Sequence, residues 1–295
     1  MPESAKEIAA LLDLERLADN QFEGRHPRCT LLEKTYGGQL LGQALVAAAR
    51  TVKDLRPAHS LHGLFLTAGN NEAPVSYEVE RVRDGRSFSM RAVIARQAGR
   101  EILRLTASFQ PREHGLAHQV GMPVVPSPED VPALPDVMRD ASDLPHQDWR
   151  TEWTALDLRY VPDNIPATAR QRRAPGVQQL WVRVNGRLPD DPDLHRHVIA
   201  YLSDLTLLST SLLPHGMMLG SADLPRATLN HSLWFHQDAR ADEWLLIDQR
   251  SPWAGGARGL SHASVYTEAG VHVASFAQEG LIRPLGKLRS RLGLA

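Results

Sequence analysis

The chain has 295 residues, 42% of them apolar and 23% charged, with a formal net charge of −1 and a pI near 6.9. Such values fit a soluble globular protein with a real core, and exclude recruitment of nucleic acid or an anionic membrane by an overall field. The one cysteine, Cys29, excludes an intramolecular disulfide and a cysteine-based metal cluster, and a reducing, cytoplasmic setting is expected. No stretch reaches the roughly 18 apolar residues that a membrane span needs, and neither a signal peptide nor a peroxisomal Ser-Lys-Leu address is expected at the termini.

Residues 5–17 read as a short amphipathic helix with Ile8, Leu11, Leu12 and Leu14 on one side. Gly37-Gly38 then reads as a break before a better helix from about Gln39 to Val52. There Leu41, Ala44, Leu45, Ala48 and Val52 recur at helical spacing. The stripe is narrow and rich in Ala, as close packing against a sheet requires. After His59 the pattern changes to alternation. Val75, Tyr77 and Val79, then Phe88, Met90 and Ala92, then Leu103, Leu105, Ala107 and Phe109 form three strands, with turns at Arg83–Arg86 and Ala98–Arg100. One long helix followed by an antiparallel meander is an α+β pattern.

Seven prolines between Pro111 and Pro145 remove backbone donors and mark a linker. Its apolar stretch Met122–Pro126 is expected to lie against the domains. Ala155–Val161 and Leu180–Val184 read as strands. A second helix is expected over Leu194–Leu213, started by Asp190-Asp191-Pro192-Asp193 at the positive end of its dipole. Four strands follow, at Thr228–Phe235, Leu245–Asp248, Leu260–Tyr266 and Val271–Ile282.

The two halves repeat one order of elements. His-Ser-Leu recurs at 59 and 231, a lag of 172, and Ala-Ser-Phe recurs with its serine at 108 and 275, a lag of 167. A duplication is therefore expected, with domains at 1–112 and 151–295 joined by a linker at 113–150.

Asp204 is the most informative single residue. On a continuous helix it projects beside the apolar stripe, and an ionised carboxylate there needs partners or water. It is either a functional acid or a structural cap for a neighbouring backbone segment. Thr228 and Gln278, polar residues in apolar strand contexts, are candidate partners, although spacing alone does not bring the three together. Other chemistries find little support. There is no Gly-x-Ser-x-Gly elbow, P-loop or His-Glu-x-x-His motif. His195 and His197 are two apart and read as solvated. His59, His62, His231 and His236 read as packing or hydrogen-bonding residues at strand starts. Arg81, Arg83, Arg86, Arg91 and Arg96 are expected on the wet face of a sheet.

At these residues the sequence resembles the acyl-CoA thioesterase II family of double hotdog proteins. The resemblance runs through Tyr36-Gly37-Gly38-Gln39, His59–His62, Arg83–Phe88, Thr106–Gln110, Tyr201–Asp204, Leu213–Gly216, His231–His236, Glu243–Leu246 and Gln278-Glu279-Gly280. It implies two fused hotdogs, each a long helix wrapped by an antiparallel sheet, and a site made by Asp204, Thr228 and Gln278. Two positions depart from the family pattern. Asn230-His231 stands where Asp-His is expected, which removes a charge near Thr228, and Phe65–Asn70 replaces an Arg-Pro-Gly-Asp-like turn.

The expected activity is hydrolysis of fatty acyl-CoA by direct attack of water, with Asp204 as base or orienter, Thr228 and Gln278 fixing its position, and backbone N–H groups, at a central-helix N-terminus for example, stabilising the oxyanion. No cofactor or metal is expected, nor nucleic acid or membrane insertion. A homo-oligomer, dimer or tetramer, is implied by the resemblance. The alternatives are an acyl-CoA-binding sensor or carrier without turnover, and a hotdog enoyl-CoA hydratase.

Overall fold

A computed structural model describes residues 1–25, 34–53, 56–133, 153–161, 175–217 and 224–286. The first half comprises α1 (Ala5–Leu12), β1 (Glu15–Ala18), β2 (Gln21–Gly24), α2 (Gly37–Ala49), β3 (Ala58–Phe65), β4 (Val75–Asp84), β5 (Ser89–Gln97) and β6 (Arg100–Phe109). The second comprises β7 (Leu156–Tyr160), β8 (Val177–Val184), α3 (Pro192–Leu202), α4 (Leu207–Thr210), β9 (Arg226–Phe235), β10 (Leu245–Gly255), β11 (Arg258–Thr267) and β12 (His272–Ile282).

All twelve strands form one antiparallel sheet in the order β1-β2-β4-β5-β6-β3-β9-β12-β11-β10-β8-β7. The second six strands repeat the first six in mirror order, as two copies related by a twofold axis would. That axis passes between β3 and β9, where Leu61 faces Leu233 with Ser60 and His62 facing Trp234 and Ser232. Leu61 and Leu233 are themselves 172 apart, the lag of the repeated triplets, so each copy contributes the same edge to an isologous junction. The duplicated α+β pattern expected from the repeats, and the double hotdog that the resemblance implies, are the fold observed.

Helix α2 is buried along nearly its whole length, because its small residues let the sheet wrap it. Helices α2 and α3 pack antiparallel. A Cβ added at Gly38 would stand 2.1 Å from the Tyr201 carbonyl oxygen, and one added at Gly42 would stand 3.1 Å from that of His197. The glycine pair expected to break the chain is instead the first turn of α2, and only residues without a Cβ permit this approach.

Several other expectations are corrected. Helix α1 ends at Leu12 instead of Leu17: Asp13 turns extended and binds Arg50, whose guanidinium also reaches the Leu14 carbonyl. The expected helix over 194–213 breaks after Leu202 and resumes at Leu207, so Asp204 lies in the break. On β5 the inward residues are Ser89, Arg91, Val93 and Ala95, which leaves Phe88 and Met90 half exposed. Arg91 is wholly buried, donating to Thr51 Oγ1 at 2.8 Å, to the Thr51 carbonyl at 3.1 Å and to Asp84 at 2.8 Å. Sheet alternation was read from apolar residues alone, and an arginine whose donors are all engaged can occupy an inward position. His195 is buried too, its Nδ1 accepting the Ala241 N–H at 3.1 Å, so it is not solvated.

The linker segment crosses the outer face of the second half. Met122, Val125 and Val131 pack on Trp181, Trp244, Leu246 and Tyr266, while the Trp181 indole donates to the Pro126 carbonyl at 3.0 Å. Strand β10 is therefore buried on both faces over Leu245–Gln249, where β4 alternates. The part of the expected linker after residue 133 lies outside the described residues.

Candidate active site

Three elements bring Asp204, Thr228 and Gln278 together. Thr228 Oγ1 donates to Asp204 Oδ1 at 3.0 Å. Gln278 Nε2 lies 2.6 Å from the same oxygen and 2.7 Å from Thr228 Oγ1. The hydroxyl thus accepts from the amide and passes its own proton to the carboxylate.

A β-bulge aims Thr228. Along β9, Leu233 and His231 face inward, so regular alternation would send Thr228 outward. The register slips by one residue, however: Glu279 pairs with Asn230 and Gly280 pairs with Thr228. Leu229 is the extra residue, and Thr228 rejoins the inner face beside Gln278. Gly280 keeps the space opposite open, since a Cβ there would stand 2.5 Å from Leu208.

The first half completes the cluster. At the N-terminus of α2 the N-cap residue Tyr36 supplies no side-chain bond, and the Gly38 N–H acts on the Asp204 carboxylate, lowering its pKa. A Cβ at Gly37 would stand 2.4 Å from Asp204 Oδ2. Asp204 therefore caps α2 from across the pseudo-twofold axis, as a carboxylate at the positive end of a helix should. The structural role weighed for this residue, a cap for a neighbouring backbone segment, is therefore present. Tyr36 secures the arrangement by donating from its hydroxyl to the Tyr201 carbonyl at 2.8 Å, near the end of α3.

Burial raises the Asp204 pKa from 3.8 to about 6, against the lowering effect of its bonds to Thr228, Gln278 and Gly38. Desolvation wins because three donors replace only part of the water around an ionised carboxylate. The result is a half-buried base poised just below neutrality.

Sequence reasoning missed Gly38 and Ser203, and read His231 as a packing or hydrogen-bonding residue without linking it to the cluster. Ser203 Oγ donates to the Ala200 carbonyl at 2.8 Å and lies 2.9 Å from His231 Nε2, which fixes the residue preceding Asp204. The histidines of the repeated triplets do have bonding roles: His59 pairs with Ser108, His62 with Ser232 and His236 with Ser275. Asn230 donates to Glu279 at 3.3 Å, outside the cluster. Among the described residues, no group of three or more His, Cys, Asp or Glu is placed to hold a metal ion.

This architecture has counterparts among known proteins. A family model described as the acyl-CoA thioesterase N-terminal domain matches residues 26–110, and one described as the acyl-CoA thioesterase C-terminal domain matches residues 128–282. The chain is 42% identical to acyl-coenzyme A thioesterase 8 of Mus musculus, over 94% of this chain and 88% of that protein. It is 32% identical to acyl-CoA thioesterase 2 of Haemophilus influenzae, over 96% and 99%. The crystal structure of acyl-CoA thioesterase II TesB2 from Mycobacterium marinum superposes with a TM-score of 0.78 at 41% identity, covering 94% of this chain and 98% of that one. The fold and these relatives together define a double hotdog thioester hydrolase. The chain belongs to the acyl-CoA thioesterase II family.

Proposed function

We propose that the protein hydrolyses fatty acyl-CoA to the free acid and CoA, and that Asp204, Thr228 and Gln278 activate the attacking water. The observation that carries this reading is the Asp204 carboxylate, held by a hydroxyl, an amide and a backbone N–H, with a pKa raised to about 6. Asp204 takes a proton as the water oxygen bonds to the thioester carbonyl carbon. Collapse of the tetrahedral intermediate breaks the carbon–sulfur bond, and the proton returns to the departing thiolate. Thiolate is a fair leaving group, so no covalent acyl-enzyme is needed. Thr228 and Gln278 hold the carboxylate in one orientation, which keeps base and nucleophile in reacting geometry. The α2 N-terminus is aimed at the same point and favours the negative charge that develops there.

The same reading takes the protein to be a cytoplasmic homo-oligomer, dimer or tetramer, with the apolar outward residues Leu64, Phe88, Met90 and Trp234 available for contact. It divides the chain at 1–112, 113–150 and 151–295. The second family match begins inside the proposed linker, where that segment packs on the second half.

A thiol-release assay with palmitoyl-CoA and dithiobis-nitrobenzoate tests the reading. Turnover is expected. Tight binding without thiol release would replace hydrolysis by a sensor or carrier, and loss of enoyl absorbance on crotonyl-CoA would replace it by hydration.

A further inference from the structure

Three buried side chains at the cluster carry a polar atom with no bonding partner among the described residues: His231, Gln278 and, opposite Gln278 on β11, Ser261. His231 and Gln278 face each other across β9 and β12 and both point inward. They are 0% and 1% exposed, and neither His231 Nδ1 nor Gln278 Oε1 meets a hydrogen-bonding group among the described residues. Orphaned polar atoms sealed from solvent are rare, because each forfeits a hydrogen bond to water.

The bonds that are present fix what each orphan can do. Gln278 must turn its amide nitrogen to Asp204 and Thr228, so its oxygen is left as an acceptor. The Ser203 hydroxyl proton is given to the Ala200 carbonyl. His231 Nε2–H must then donate to Ser203 Oγ, and Nδ1 carries a bare lone pair. Burial holds the ring neutral, with its pKa lowered to about 3. On the other flank β3 places Gly63 opposite His231, which brings no side-chain donor. Side chains directly opposed in an antiparallel pair have Cβ atoms roughly 5 Å apart, a span that one water with two protons can bridge.

We infer that a sequestered water donates to both His231 Nδ1 and Gln278 Oε1, and that His231 is a positioning residue for the Asp204 cluster. Through the water it holds the Gln278 amide from behind. Through Ser203 it holds the residue that precedes Asp204. The orphaned Gln278 oxygen is closed to solvent, so this water is distinct from the one that attacks the thioester. The kinetic part of the inference rests on the hydrolase reading, whereas the water and the tautomer do not.

A crystal structure at a resolution that shows other internal waters, together with ¹⁵N shifts of the His231 ring, tests it. Density within hydrogen-bonding distance of both atoms, a pyridine-like Nδ1 and a pyrrole-like Nε2 are expected. Absence of that density, or a protonated Nδ1, overturns the inference. In kinetics, His231→Gln keeps a donor near Nε2 and removes the Nδ1 acceptor. It should lower kcat by about ten- to a hundredfold with KM within about twofold. Wild-type kcat in a folded His231→Gln protein also overturns the inference. If that variant does not fold, the wild-type density and ring shifts decide. If wild-type protein releases no CoA thiol, the hydrolase reading fails and the same two observations still judge the water.

Discussion

The Asp204 carboxylate sits where burial and hydrogen bonding pull its pKa in opposite directions, and burial prevails. A pKa near 6 in the folded chain, against 3.8 unfolded, has two measurable consequences. The acid limb of kcat/KM should fall with unit slope below about pH 6, because the protonated carboxyl cannot accept from water. Stability should move the other way. A folded pKa raised above the unfolded one favours folding fully below pH 3.8, and that contribution is lost as pH rises through 6. Asp204→Asn should therefore be more stable to urea than wild type at pH 8, by up to about 3 kcal/mol, with the difference shrinking toward pH 4. Thr228→Val removes the hydroxyl that links amide to carboxylate. It should lower kcat by about a hundredfold while circular dichroism stays native. Asp204, Thr228 and Gln278 were legible as polar residues in apolar surroundings. Ser203 and His231 were not, since serine at a helix end and histidine in a strand are common in structural roles. Nothing in their spacing shows that the Ser203 hydroxyl and the His231 ring meet.

Among the elements, the helix pair and the bulge decide where these side chains go. Gly38→Ala places a methyl 2.1 Å from the Tyr201 carbonyl and 2.6 Å from the Tyr36 ring. Both helices must move, so urea unfolding should report a loss of at least about 2 kcal/mol, with hydrolysis falling as α2 leaves Asp204. Gly99→Ala is the control. It sits at φ +76° with nothing within 4 Å, and should lose only about 1 kcal/mol, with kcat unchanged. The break after Leu202 was hidden because apolar periodicity continues through Leu205, Leu208 and Leu212. The periodicity records which residues are buried, and burial persists where the hydrogen-bonding pattern does not. Arg91 was misplaced for the converse reason: its charge suggested solvent, while Thr51 and Asp84 satisfy it on the inner face.

Across the whole molecule, duplication supplies two frames for the one proposed site. Helices α2 and α3 end 153 residues apart, at Ala49 and Leu202, so Thr51 holds the place of Asp204. By the lags of 172 and 167, Arg56 stands for Thr228 and Pro111 for Gln278. Thr51 is engaged by Arg91, and Arg56 bonds the Gly85 carbonyl and Ser89, leaving no carboxylate in the first half's equivalent position. Titration with a nonhydrolysable acyl-CoA thioether should accordingly saturate at one ligand per chain, and two would contradict the assignment of a single site. The repeat itself was visible in the sequence because the triplets flank the junction strands. The composite nature of the site was not, since only the twofold packing carries the α2 N-terminus to a residue of the other half. The most direct test compares CoA release from palmitoyl-CoA by wild type and Asp204→Asn at pH 8, with both proteins shown to be folded. A fall in kcat of about a hundredfold or more is predicted. Turnover within about twofold of wild type would contradict a carboxylate-activated water.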